Sequence, residues 1–292
     1  MPLSESQFEM NGFRFGRGTD VEVSVFEEGA VSSTTNDTTN PINDGINFGY
    51  DFHQGRILTF EMWSNKRSAS EASETVAELA RAWTDPHLRQ TARKVSELRV
   101  RAWGSPERIV YGRPRNYSAP NNAQIRDGII QCVAEFYTVD GNYYDAEARN
   151  VYLSLISEGG TGGITWPVEW PLTWSGTYER QDATHVASPM GAYPVITFKG
   201  PVSNPALEYV GTGIRIRWTG TLAYDESVTI DTRPWVRTVK KQDGSNHVGK
   251  LTGARMAELQ LPQGSSTFRY SGDDQTGQST CQISYRNTHK LY

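Results

Sequence analysis

The sequence predicts a mainly β protein of two domains: an N-terminal β-rich domain with one helix, then a C-terminal antiparallel β-sandwich. Three observations carry this. Short runs alternate apolar and polar residues between Gly, Asn, Asp and Pro turn signals. A single stretch repeats its apolar residues at helical spacing. In the last third, alternating runs recur at regular intervals with turn residues between them, which is the pattern of a sandwich. A chain of 292 residues can bury two sizeable cores.

Taken in order, "FEMNGFRF" (8–15) is two short strands joined by Asn11-Gly12, a dipeptide that accepts the positive φ values of a type I′ hairpin. "VEVSVF" (21–26) alternates again. "SSTTNDTTNPINDG" (32–45) reads as a long exposed loop, and "RILTFEMW" (56–63) resumes the sheet. In "SASEASETVAELARAWTDP" (68–86), Ser68 and Glu71 have capping-box spacing, and Ala72, Val76, Leu79, Ala80 and Trp83 form one narrow stripe. Asp85-Pro86 ends that helix. Strands return at 97–103, 107–112, 129–137 and 150–156. Residues 157–180 are dense in Gly, Pro and Trp and read as an arm closing a first domain of 1–180; the sandwich then occupies 181–292. Within it "PVITFKG", "GIRIRWTG", "SVTID", "AELQLP", "STFRYSG" and "CQISYRN" read as strands.

Net charge is −4, so the global field points to neither nucleic acid nor anionic lipid. No run approaches the length of a membrane span, and "MPLSESQFEMNGFRF" lacks the basic and apolar regions of a secretory leader. A chain made and kept in a cytosol, or one that leaves by a route needing no signal, is expected, without membrane insertion. Cys132 and Cys281 each lie in an alternating run, where a thiol acts as a small buried apolar group and no disulfide is expected.

Reactive constellations are not proposed by the residues. The five histidines are scattered without a spacing that presents two ligands to one ion, and Asp273 and Asp274 read as a solvated hairpin tip, with a weak calcium loop as the alternative. "EGGTGGI" (158–164) has no Lys-Ser/Thr after it, so it cannot cradle a phosphate as a P-loop does. No catalytic, cofactor or metal residue is assigned. Asp231, before Arg233-Pro234 and Trp235, ends a strand, where its carboxylate can accept backbone N–H groups of a corner. In "WPVEWPLTW" the prolines forbid a regular helix. An extended chain would set Trp166, Trp170 and Trp174 on one face, fit to dock on protein or to stack on sugar. Glu169 between them lacks the second carboxylate that a glycosidase needs. Residues 93–115 are basic, with Arg99 and Arg101 on one strand face: solvated surface, ion pairing between subunits, or a nucleic-acid contact.

The order of these strands and turns resembles the distal tail proteins of long-tailed, non-contractile bacteriophages. The matching stretches are "FRFGRGTDVEVSV", "DGINFGYDFHQGRILTFEM", "PVITFKGPVSNPALEY", "IRIRWTGTLAYDESVTIDTRPWVRTVKKQDGSN", Leu-Pro-Gln-Gly at 261–264 and "CQISYRNTHKLY". The resemblance implies a galectin-like C-terminal sandwich and an N-terminal ring-forming domain that continues the tail tube. It further implies a homo-oligomeric ring, usually of six copies, at the distal end of the virion tail, synthesised in the host cytoplasm. Such a ring joins the tail tube protein to the tip hub and to receptor-binding or fibre proteins, with DNA passing only in transit through its lumen. Phe13, Phe15, Arg99, Arg101, Trp166, Trp170 and Trp174 are the candidate subunit or partner contacts. The rival reading is a carbohydrate-binding module contacting host wall sugars.

Overall fold

The computed structural model describes residues 2–120, 122–155, 182–187, 190–274 and 276–292. The chain divides into two compact units, 1–146 with 289–292, and 147–288. The division falls earlier than the expected boundary at 180. Strand Arg149–Ser154 pairs along its whole length with Thr280–Tyr285 of the sandwich, so residues 149–154 belong to the second unit.

In the first unit one antiparallel sheet runs in the order Phe13–Gly16, Gln7–Met10, Ser96–Arg101, Arg108–Ser118, Ile129–Thr138, Ile57–Asn65, Glu22–Glu28. Its two end strands are nearly consecutive in sequence, so the sheet curls towards itself. The Asn11-Gly12 turn has φ of 49° and 83°, both positive, as the dipeptide predicts. Alternation decides which face is buried: Leu58, Phe60 and Met62 face inward from one strand, and Cys132, Ala134 and Phe136 from its neighbour.

The helix spans Ala69–Trp83, and the Ser68 side chain accepts a hydrogen bond from the Glu71 N–H. That bond satisfies one of the donors a helix start leaves unpaired. Ala72, Val76, Leu79 and Trp83 are buried, while Ala80 is only half-buried. Trp83 meets Phe15 and Phe60 edge to face at 5.9 Å each and donates from Nε1 to the Glu135 carbonyl at 3.1 Å. Asp85-Pro86 both ends this helix and starts a short one, Pro86–Gln90, with Asp85 as cap, because proline is tolerated in a first turn.

The expected loop at 32–45 is exposed but ordered differently. Ser33–Thr34 pairs with Phe52–His53, and Thr38–Thr39 with Ile46–Asn47, as two small two-stranded ribbons joined to no further strand among the described residues.

The second unit is a sandwich. One sheet runs Arg149–Ser154, Thr280–Tyr285, Val195–Lys199, Ser227–Asp231, Thr238–Lys241. The other runs Asp182–Ala187, Gly264–Asp273, Val202–Val210, Ile214–Trp218, Leu251–Gly253, with Thr221–Leu222 beside Val202–Val210. Phe198, Ile230 and Ile283 from the first meet Leu207, Trp218 and Tyr270 from the second in one core. "AELQLP" departs from its expected strand: Met256–Leu259 is a 3-10 turn, and a single bridge joins Leu261 to Ala192. Strand Val202–Val210 absorbs Pro205 at a register shift between Ser203 and Ala206, which is where a sheet tolerates proline. The two cysteines are free and buried, one in each unit.

Candidate functional site

Arg99 and Arg101 share the outward face of strand Ser96–Arg101, as their spacing predicts. Both are engaged within their own unit. Arg99 bonds Glu9 at 2.9 Å and Glu107 at 2.7 Å through Nε, and Arg14 bonds the other Glu9 oxygen at 2.8 Å. Arg101 donates to the Leu3 carbonyl at 2.6 Å, while the Leu3 N–H donates to Glu107 at 3.0 Å. Burial alone would raise the Glu9 carboxyl; the Arg14 and Arg99 guanidinium groups overcome it and hold it below its ordinary value. For Arg99, burial works downward, and Glu107 and Glu9 outweigh it to raise the guanidinium. The network clasps the segment at residue 3 onto the sheet.

Phe15 is fully buried, stacked on Phe8 at 5.5 Å and edge-on to Phe60 at 5.4 Å. It is core, which corrects its expected place at an interface. Phe13 is half-buried and lines an open cleft of about 480 Å³ with Asn11, Glu78, Arg81 and Asp85. Trp166, Trp170 and Trp174 lie outside the described residues, as does Glu169.

Carboxylates near the corners bond their own turns. Asp231 receives the Arg233 N–H at 3.1 Å and the Arg233 guanidinium at 2.6 and 3.0 Å, the corner role read from the sequence. Asp274 receives the N–H groups of Thr276 and Ser279, both at 2.8 Å. Asp140 differs. Burial raises its carboxyl, against hydrogen bonds from Tyr144 at 2.5 Å and from the Asn142 side chain and N–H. A raised carboxyl often marks an acid catalyst, yet these bonds come from Asp140's own turn. Among the described residues, no three His, Cys, Asp or Glu side chains form a group that could hold a metal ion. No helix among them is long and apolar enough to cross a membrane.

A second buried charge centre lies at Arg56, whose side chain is 8% exposed. It pairs with Glu28 at 2.5 Å, donates to the carbonyls of Gly141 and Lys290, and sits 5.5 Å over the Tyr143 ring. Tyr292 closes the same region against Phe26 and Tyr143.

Two surfaces were not singled out from the sequence. The ribbon at 33–53 exposes Ile42, Ile46, Phe48, Tyr50 and Phe52, each between 57 and 86%. The signal was present, since residues 46, 48, 50 and 52 alternate, but that pattern ordinarily denotes a face turned to the core. The second surface is the outward face of the five-stranded sheet. There Tyr152, Gln282, Thr197, Thr229 and Lys240 form one row across all five strands, with Tyr152 67% exposed.

No family model and no curated protein matches the chain. Solved structures do match, by fold. The SPP1 Dit protein, a paradigm of the hub adsorption apparatus in phages infecting Gram-positive bacteria, aligns with a TM-score of 0.61 at 10% identity. The alignment covers 97% of this chain and 98% of that one. A chain of the phage P2 baseplate in its activated conformation aligns at 0.57 in the calcium form and 0.58 in the strontium form. Both are 10% identical and cover 98% of this chain and 99% of theirs. The chain therefore shares the Dit fold over nearly its whole length, at an identity that carries no residue-by-residue assignment.

Proposed function

We propose that this chain is a non-enzymatic structural protein of a phage tail tip. It would form a ring of six copies between the tail tube and the tip hub, holding receptor-binding or fibre proteins outside and leaving a lumen for DNA. The observation that carries this reading is the alignment of both units together, over 97% of the chain, onto a Dit protein. Fold alone does not fix function. The bonding of Asp231, Asp274 and Asp140 within their own turns supports a role without bond chemistry.

The test combines native mass measurement and negative-stain imaging of the purified protein with antibody labelling of purified virions. A ring of about six times the 32.6 kDa chain, closed by cyclic symmetry, and label at the tail tip are expected. Absence of the protein from virions would overturn the proposal. No turnover of cell-wall polymer is expected; turnover lost on Asp231→Asn or Glu169→Gln would reverse the non-enzymatic reading.

One surface favours a second reading, binding of wall sugars. The row Tyr152, Gln282, Thr197 and Thr229 joins an exposed ring to uncharged hydrogen-bonding groups on a sheet face, the mix that stacks on a sugar and bonds its hydroxyls. Glycan-array binding lost on Tyr152→Ala would support it; no binding by the native chain would remove it.

A further inference from the structure

The outward face of the five-stranded sheet in the second unit carries charge beyond the row that suits a sugar. Alternation turns side chains outward in parallel rows. The row from Tyr152 to Lys240 is flanked on one side by Thr280, Lys199 and Ser227, and on the other by the row that ends in Asp231 and Thr238. Along these three rows the charged side chains are Lys199, Lys240 and Asp231. Asp231 is only 10% exposed at its side chain and binds Arg233 at 2.6 Å. Most of the others are hydroxyl and amide groups, so the face is positive on a chain whose net charge is −4.

Both lysines are exposed, and their cross-strand neighbours carry hydroxyls: Ser227 and Thr280 beside Lys199, Thr229 beside Lys240. Neither has an acid partner among the described residues, whereas Lys241, next in sequence, pairs with Glu226 at 2.5 Å. A lysine on an end strand guards against stray strand pairing, which accounts for Lys240 on Thr238–Lys241. Val195–Lys199 is the middle strand of the five, paired on both sides, so Lys199 has no edge to guard. At about 4.8 Å per strand and 3.3 Å per residue, the backbone at Lys199 lies about 12 Å from that at Tyr152 and about 12 Å from that at Lys240.

We infer that this face binds a linear phosphate-bearing polyol or glycan chain. The inference rests on the reading of the face as a sugar surface and names the class of ligand. Tyr152 stacks on the chain, Gln282, Thr197 and Thr229 bond its hydroxyls, and Lys199 and Lys240 each meet a phosphate as a point charge. Complementary charge is the argument for the phosphates: a neutral glycan would leave both cations without a counter-charge. Single-stranded nucleic acid asks for several aromatic platforms in succession, and this face offers one exposed ring. An acidic protein surface fits less well, because Ser and Thr, which dominate here, are under-represented where protein interfaces hold their binding energy.

Titration calorimetry on the full-length protein tests this with three probes: a glycerol-phosphate oligomer, a neutral glucan oligomer of equal length, and inorganic polyphosphate. The glycerol-phosphate oligomer is expected to bind tightest, with an affinity that falls as salt rises. Lys199→Gln and Lys240→Gln should each weaken it roughly two- to five-fold and flatten its salt dependence, while binding of the glucan is unchanged. Tyr152→Ala should weaken the glycerol-phosphate oligomer and the glucan alike. All three side chains are exposed, so hydrogen exchange in the sheet strands should stay native in each variant. If the glucan binds as tightly as the glycerol-phosphate oligomer, or both lysine variants bind that oligomer as the native chain does, the inference fails and the sugar reading stands. If polyphosphate binds as tightly and Tyr152→Ala changes nothing, the face only attracts charge and the inference fails. If neither oligomer binds, the sugar reading falls and this inference with it.

Discussion

Replacing Arg56 by alanine removes one cation and leaves several groups stranded. Its ion pair with Glu28 is enclosed, with side chains 8% and 14% exposed, so the lost attraction is not replaced by full hydration. Taking one partner from a buried pair costs about 3–5 kcal/mol. The bonds to the Gly141 and Lys290 carbonyls would be worth about 1.5–3 kcal/mol each if independent. They share one guanidinium, however, so the terms do not add, and we expect about 4 kcal/mol in all. Hydrogen exchange read by peptide is the appropriate assay, because a chain of two units need not unfold in one step. Peptides from Ile57–Asn65 and Ile129–Thr138 should exchange roughly a hundred- to several-thousand-fold faster, while Val195–Lys199 and Thr280–Tyr285 keep their protection. The double variant Arg56→Met/Glu28→Gln should recover at least about 1 kcal/mol of the loss, since no charge is then left unpaired. An acceleration below ten-fold in the first unit, or a double variant weaker than the single one, would refute this account of the centre.

Trp83→Ala should destabilise the first unit by about 3–5 kcal/mol in the same exchange experiment. Trp83→Phe, which keeps the contacts with Phe15 and Phe60 but loses the bond to Glu135, should cost about 1–2 kcal/mol. Burial pushes the Cys132 thiol up to about 11 from 9.0, against a hydrogen bond from Tyr117, so native protein at pH 8 should resist thiol reagents that label it fully once unfolded. The sign for stability follows: the thiol's contribution is complete below the unfolded value of 9.0 and is lost as pH rises towards 11, so urea midpoints should fall across that window. Gly128→Ala should lower the melting temperature measurably, because φ is 78° and a Cβ would lie 2.1 Å from the Lys66 carbonyl oxygen.

What the sequence disclosed was local. Asn11-Gly12, the Ser68 cap and the alternation around Phe60 and Phe136 each depend on a few neighbouring residues, and each is found where expected. Arg149–Ser154 was legible as a strand but not as part of the sandwich, because its partner strand begins at Thr280 and long-range pairing leaves no local mark. "AELQLP" alternates, yet its residues 257–259 wind into a 3-10 turn, an outcome set by packing rather than by period. Arg99 and Arg101 showed their common face but not what holds them, since Glu9 and Glu107, which bond Arg99, and the Leu3 carbonyl, which accepts from Arg101, come from other segments. Phe13 and Phe15 share a spacing and differ in burial, because Trp83 and Phe60 cover only the second.

The division of the chain also orders its own manufacture. The first unit takes residues from both sides of the second, so the Lys290 carbonyl that Arg56 holds and the Tyr292 ring that meets Phe26 leave the ribosome only after 147–288. At about 5–20 residues per second that is a wait of roughly 7–28 s with one half unfinished. A nascent chain arrested before residue 289 should therefore be cut by protease near Phe26 and Tyr143 faster than the released protein.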